Sequence, residues 1–479
     1  MRRHLHMTGA AEVPLRAALS ALRTRLDVPV TFPAEVLAEA ESAVRSPRLP
    51  DHDATGIPFF TIDPPTSLDL DQAMHLARRE GGGFRVHYAI ADVAAFVAPG
   101  GALDAEAHRR VQTLYFPDEK VPLHPPQLSE GAAGLLPGQS APALLWRIDL
   151  DAEGRAVTAD VRRALVRSRA KLDYAGAQRR IDDGTAEEPL ALLGDIGRLR
   201  EAMEIERGGI SLNVPEQEIV EREGTYVLEY RAPLPADAWN AQISLLTGMA
   251  AADLMIEAGT GVLRTLPTAP DGAVARLHRS AKALHIEWPH HVSYAELVRS
   301  LDPHDARHAA FLQECTTLLR GAGYTAFRDG QLPTPAVHAA VADEYTHCTA
   351  PLRRLVDRYA GELCLAAVAG QSPPEWVTAA LDALPKEMAE GSRRADTVER
   401  ECLDLVEAVL LRERVGEVFD AVVVDVKEHE PDVGTVVLEE PAVVARIEAD
   451  GGELPLGERL RVRLTQADPG TSRVLFAPA

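Results

Sequence analysis

No apolar stretch of this sequence reaches the ~20 residues that a membrane-spanning helix needs. Arg2 and Arg3 at the amino terminus lead into no apolar run of the kind a secretory leader carries. These absences predict a soluble, cytoplasmic protein with no membrane partner. Cysteine is scarce: Cys315, Cys348, Cys364 and Cys402 show neither metal-ligand spacing nor a close-set framework of pairs. That argues against structural zinc and a disulfide-stapled fold, and predicts four reduced thiols. Positive charge is also in deficit, with 50 Lys and Arg against 72 Asp and Glu and a formal net charge of -22. That balance argues against a protein that coats duplex DNA through its overall field, but not against a local basic lining.

What is abundant is acid, and it is concentrated. Asp63, Asp69 and Asp71 crowd the stretch Thr61-Ile-Asp-Pro-Pro-Thr-Ser-Leu-Asp-Leu-Asp-Gln-Ala73. Asp69 and Asp71 alternate with Leu68 and Leu70, so an extended chain sends both acids to one face and both leucines into a core. Pro64 and Pro65 can neither continue a helix nor donate to a ladder; they should fold the segment and bring Asp63 toward the other two. Three converging oxygen donors suit a hard divalent ion, magnesium or manganese, and metal-assisted phosphoryl chemistry. Surface turns and sugar-nucleotide enzymes also use Asp-x-Asp, so a metal-dependent nucleotide-sugar transferase stays open at this point.

The 479 residues can hold two to four domains, and a hydrophobic content of 46% supports a globular chain. Leu15, Leu19, Leu22 and Leu26 share one helix face; Val36, Leu37, Ala40 and Val44 share another before Pro47 and Pro50. Residues 1–48 thus read as a small helical module, either helix-turn-helix-like or a plain hairpin docked on its neighbour. Residues 49–415 read as one large mixed α+β domain. Short strands such as 84–90 follow the acidic stretch, and helices dominate later, over 243–258, 293–323 and 351–369. Between residues 161 and 180, Arg162, Arg163, Arg167, Arg169, Lys171, Arg179 and Arg180 face the single acid Asp173. They form either a basic lining or a solvated helix face. Residues 416–479 carry five strand-like runs, at 419–426, 434–438, 442–449, 458–464 and 473–476. Five short strands suit an OB-type barrel, a frequent binder of single-stranded nucleic acid, although its aromatics are chiefly Phe419 and Phe476. The expected fold class is α+β multidomain.

Asp-x5-Asp-x-Asp enclosing Pro-Pro-Thr-Ser resembles the acidic motif that opens the catalytic domain of the ribonuclease II family. The family's usual fourth acid is Gln72 here. The resemblance extends from about residue 50 to the carboxyl terminus. The run from Arg109 through Tyr115-Phe-Pro117, with Val121-Pro-Leu-His-Pro125 and Leu128-Ser129, is similar to the family's tyrosine-containing block. Ser168-Arg-Ala-Lys171-Leu-Asp-Tyr174 is similar to a second block. Tyr345-Thr-His-Cys-Thr349-Ala-Pro351-Leu-Arg353-Arg354-Leu-Val-Asp357 resembles the Thr-Ser-Pro-Ile-Arg-Arg-Tyr-x-Asp signature, with Ala350 and Leu355 in place of Ser and Tyr. Val398-Glu399-Arg400-Glu401 resembles a late helix whose glutamate lines the terminal-nucleotide pocket.

The resemblance implies an RNB-like, metal-dependent 3′-to-5′ exoribonuclease that hydrolyses RNA to nucleoside 5′-monophosphates. It assigns Asp63, Asp69, Asp71 and the Gln72 carbonyl to one or two magnesium ions, about 3.5–4 Å apart if there are two. Asp71 is the least replaceable acid, Arg353 neutralises phosphate charge, and Tyr115 stacks on a base at the reacting end. Arg169, Lys171, Arg354 and Glu399 join the contacts to RNA. The implied substrates are single-stranded RNA and structured RNA with a 3′ overhang, with no obligate protein partner. Thr349 and Pro351 should open a helix whose free amides, with Arg353, meet an anion. Family members usually carry two cold-shock barrels ahead of the catalytic domain; fifty helical residues cannot supply them, so the helical module is expected to replace that funnel. Gln72 also keeps a rival open, a weakened member that binds RNA without cutting it.

Overall fold

The computed structural model describes every residue except 1–5, 8–12, 213, 215, 223, 224, 304, 320, 428, 439 and 472. The first part of the expected helical module therefore lies outside the described residues. At the centre, five strands close into a barrel: β1 (Phe59–Ile62), β2 (Gln72–Arg78), β3 (Phe84–Ala91), β4 (Ser140–Leu150) and β5 (Ala156–Leu172). Each pairs antiparallel with the next, and β5 returns parallel to β1. Met74, Leu76, Val86, Tyr88, Trp146 and Ile148 share one apolar cluster, while Ala73, Ala89, Leu145 and Val166 from the same strands belong to another. The barrel wall is thus covered on both faces. That is why β4 is buried at nine of its eleven positions and its sequence shows no apolar-polar alternation.

Helices surround the barrel. Pro235–Ala258 packs against Glu188–Arg207 and Leu355–Ala369. Gly248 on the first of these lies under Tyr345, where a Cβ would come within 2.2 Å of the ring, so glycine alone admits the segment leading to Thr349. The helix expected over 293–323 is broken into Tyr294–Ser300 and Ala306–Cys315 around Pro303; Asp305 caps the second by accepting from the amides of Arg307 and His308. Two of the seven cations of 161–180, Arg179 and Arg180, are exposed on the helix Tyr174–Asp182. Five of the seven lie on β5, where Arg163 is paired with Asp92 and Glu362, Arg162 with Asp160, and Arg167 with Ser140.

The tail is a second closed barrel of β6 (Val418–Lys427), β7 (Glu430–Leu438), β8 (Val443–Glu448), β9 (Arg459–Asp468) and β10 (Arg473–Pro478), in the order β6-β7-β8-β10-β9. Phe419 and Phe476 meet edge to face inside it, 5.8 Å apart. They are core residues, not a stacking surface. The helix Val13–Arg25 buries Leu15, Leu19 and Leu22, packs on the long helix Leu384–Leu411, and shares one apolar cluster with the interior of this second barrel. Arg23–Asp118 and Arg25–Glu401 ion pairs border the contact. The helix Ala34–Arg45 packs on Ala102–Arg110 and buries Val36 and Ala40, leaving Leu37 exposed. All four cysteines are free and buried. Among the described residues no helix is long and apolar enough to cross a membrane.

Candidate active site

The acidic loop is the β1–β2 connection, so the barrel fixes both of its ends. Asp63 donates its amide to Leu172 O, and Ser67 closes a turn onto Pro64 O at 3.0 Å. Lys171 holds that turn from below, its Nζ donating to the carbonyls of Pro65 and Ser67 at 2.7 and 2.5 Å. The expected fold at the prolines is present. The leucines do not behave alike, however: Leu70 is fully buried while Leu68 is 51% exposed, because 63–71 is a loop and not an extended strand.

The three carboxylates turn to different partners. Asp71 is buried; its Oδ1 accepts from Leu352 N at 2.8 Å and its Oδ2 lies 3.3 Å from Arg353 Nε. Burial pushes Asp71 up to about 8, against the pull of Arg353 and the Leu352 amide. Asp69 accepts from Lys120 Nζ at 2.6 Å. Asp63 is half-buried, and burial lifts it to about 6 against Arg353 and Lys171. Among the described residues no three His, Cys, Asp or Glu side chains stand together as ligands for one ion. The convergence of three donors expected from the turn is therefore not seen: Arg353 with the Leu352 amide draws Asp71 away, and Lys120 draws Asp69. Gln72 is tied at both ends, its Nε2 donating to Thr349 O at 2.6 Å and its Oε1 accepting from Tyr88 OH at 2.7 Å.

Opposite the acids runs the segment from Thr349 to Arg354. It does not open a helix at Pro351: the helix begins at Leu355, and Pro351–Arg354 is a tight turn. Thr349 bonds Ser244 through its hydroxyl instead of capping. Asp357 closes the turn, accepting from Ala350 N at 2.7 Å and from Arg354 Nε and an outer guanidinium nitrogen at 2.9 and 2.8 Å. The forked pair occupies Arg354 within the turn, whereas the Arg353 side chain is 43% exposed at the mouth. Backbone bonds from Thr113 N to Arg353 O and from Leu355 N to Val111 O stitch the turn to the segment before Tyr115. Tyr115 lies in the strand Leu114–Tyr115, in register with Lys120. Burial raises its phenol, and Arg353, Asp69, Asp71 and Lys120 are the charges it feels.

Asp63, Asp69, Asp71, Tyr115 and Arg353 thus meet at one mouth, with Lys171 and Gln72 supporting it. Arg169 points elsewhere on β5: it is exposed and acts electrostatically on His75 of β2. Glu399 is half-buried on the helix Leu384–Leu411, which packs against the Leu114–Tyr115 strand. Two further residues at the mouth carry no signal in the sequence. Lys120 Nζ bridges Asp69 and Glu130, at 2.6 and 2.9 Å. A lone lysine in a two-residue strand and a lone glutamate in a short helical turn have no spacing that would single them out.

A model of the RNB domain matches residues 51–369, and one of the RNase II-type exonuclease C-terminal S1 domain matches 417–479. Ribonuclease R 1 of Lactococcus lactis is 26% identical over 436 residues, 84% of this chain and 51% of its own. Ribonuclease R of Aquifex aeolicus is 25% identical over 504 aligned residues, 96% of this chain and 70% of its own. The chain thus spans from about half to 70% of the length of these two relatives. Among solved structures, RNase R of Mycoplasma genitalium in complex with ribose-methylated single-stranded RNA superposes with a TM-score of 0.83 at 19% identity, covering 97% of this chain and 78% of that one. The yeast pseudonuclease Ssd1 shares the fold at a TM-score of 0.66 and 17% identity, covering 93% of this chain and 53% of that one. With more than half of its residues matched by the RNB model and its tail by the S1 model, the chain belongs to the ribonuclease II/R family of RNB-domain proteins.

Proposed function

We propose that this chain is a cytoplasmic, metal-dependent 3′-to-5′ exoribonuclease that releases nucleoside 5′-monophosphates. The observation that carries the proposal is the meeting of Asp63, Asp69 and Asp71 with Arg353 and Tyr115 at one mouth, on an RNB scaffold. The donors suit a hard cation: they are oxygens, and magnesium is commonly held by one or two carboxylates, the other positions going to water and substrate phosphate. Asp63 and Asp69 are the side chains that would hold it. When bound, such an ion supplies a water activated at neutral pH and neutralises phosphate charge; manganese would do the same.

The remaining roles belong to the chain itself. Arg353 neutralises the charge that grows on the phosphate, and Asp71 orients Arg353 from its Nε side while fixing the Leu352 amide. Gln72 serves the site by anchoring the loop that carries Arg353. Tyr115 grips a terminal base by its face without reading its edge, which suits a nuclease indifferent to sequence. Single-stranded RNA is the substrate, and structured RNA with a 3′ overhang is a second; the Mycoplasma relative has been solved with single-stranded and with double-stranded RNA.

The test is a denaturing gel of 5′-labelled single-stranded RNA with magnesium, with manganese and with chelator, alongside Asp71→Asn. A metal-dependent ladder shrinking from the 3′ end, absent in the variant, is expected. Gln72 in place of an acid favours one rival, an RNA-binding protein that does not cut. Intact RNA in every lane, with binding retained in a shift assay, would select that rival.

A further inference from the structure

Asp69 and Glu130 reach the mouth from different segments, and a side chain of opposite sign stands between them. Lys120 Nζ is 2.6 Å from Asp69 Oδ1 and 2.9 Å from Glu130 Oε1, and the three side chains are only 23%, 11% and 22% exposed. The backbone sets this position: Lys120 pairs in register with Tyr115, and Glu130 sits in the π-helical turn Leu128–Ala132, whose Leu128 and Ser129 amides bond Pro125 O. An ammonium is a compact point charge, so this is a cation position that the chain fills with its own side chain. The neighbouring oxygens are committed as well. Asp71 serves Leu352 N and Arg353, and the Gln72 carbonyl accepts from Tyr88.

We propose that Lys120, clasped by Asp69 and Glu130, takes the place of the second metal, so that this chain binds one divalent ion where a two-metal site would bind two. The inference rests on the metal-dependent function proposed above. In a two-metal site, two ions about 3.5–4 Å apart share the neutralisation of a phosphate. Here a fixed ammonium supplies part of that charge and needs no loading from solution. Glu130 is its positioning residue.

The experiment titrates the full chain, without RNA, with Mn2+ and follows free Mn2+ by its electron paramagnetic resonance signal. One Mn2+ per chain is expected for the wild type and for Lys120→Arg. Lys120→Met, which releases Asp69 and Glu130, is expected to bind a second Mn2+. A merely structural lysine would not raise the stoichiometry on removal. Two ions on the wild type, or no second ion on a folded Lys120→Met, overturns the proposal. The wild-type stoichiometry decides by itself should Lys120→Met fail to fold. No bound ion together with intact RNA in the gel assay removes the metal-dependent function and this inference with it, an outcome distinct from two ions on an active enzyme.

Discussion

Tyr88, with no solvent exposure, donates its hydroxyl to Gln72 Oε1 at 2.7 Å, while the other end of the same amide donates to Thr349 O at 2.6 Å. The barrel interior is thereby tied to the loop that carries Arg353. Tyr88→Phe should lower stability by about 1–2 kcal/mol, since it deletes a buried hydrogen bond and leaves the Gln72 carbonyl short of a partner. Because the loop is loosened and no RNA contact is removed, kcat should fall several-fold with KM little changed. Thermal melting and steady-state hydrolysis of an RNA oligomer read the two effects; an unaltered kcat would show that this tie does not position Arg353.

Arg353→Lys keeps the charge but loses the planar fork that matches a phosphate. On the scale set by removal of a transition-state donor, kcat should drop by about 10²–10³. Retention of wild-type kcat would take Arg353 out of the reaction.

Tyr115→Ala tests stacking. Loss of one base–aromatic contact is worth about 1–3 kcal/mol, which corresponds to a rise in KM of roughly 5- to 150-fold. The rise should be similar for poly(A) and poly(U), because a ring face does not read base edges. A loss confined to one base would mean that Tyr115 recognises sequence.

Asp71 makes stability depend on pH. Unfolded, its carboxyl loses its proton near the ordinary aspartate value of 3.8; folded, burial holds the proton up to about 8. Between those values the folded state binds more protons, so this contribution to stability is full at low pH and is lost as pH rises toward 8. Asp71→Asn removes it. In chelator, the variant should melt a few degrees above the wild type at pH 8, and the gap should narrow on acidification toward pH 5. A gap that does not change with pH would mean that Asp71 keeps an ordinary carboxylate pKa in the fold.

The C-terminal barrel was legible from the sequence because its strands alternate and its turns are marked by residues such as Asp450-Gly451-Gly452; the expected runs overlap all five strands. The first barrel was not. Its wall is buried on both faces, so β4 has no period of two, and the cations of β5 imitate a charged helix. Proline explains two further differences: Pro303 splits an expected helix, and Pro351 opens a turn where a helix start was expected. At the site, the acids, Tyr115 and Arg353 were legible through the resemblance. The bonds that turn Asp71, Asp69 and Gln72 away from a common centre were not, since Leu352 N is a backbone group and Lys120 and Tyr88 are isolated in sequence. Arg354 shows the same from the other side: its partner Asp357 lies three residues away, yet the fork forms only once the turn has folded.

Leu15, Leu19 and Leu22 share one apolar cluster with Phe419 and Phe476, so early and late stretches of the chain complete a single core. During synthesis the leucine face of Val13–Arg25 lacks its helix partner until Leu384–Leu411 has left the ribosome. At about 5–20 residues per second that wait is on the order of tens of seconds to a minute or more. Throughout it, a nascent helix with an uncovered greasy stripe is a natural client for a chaperone.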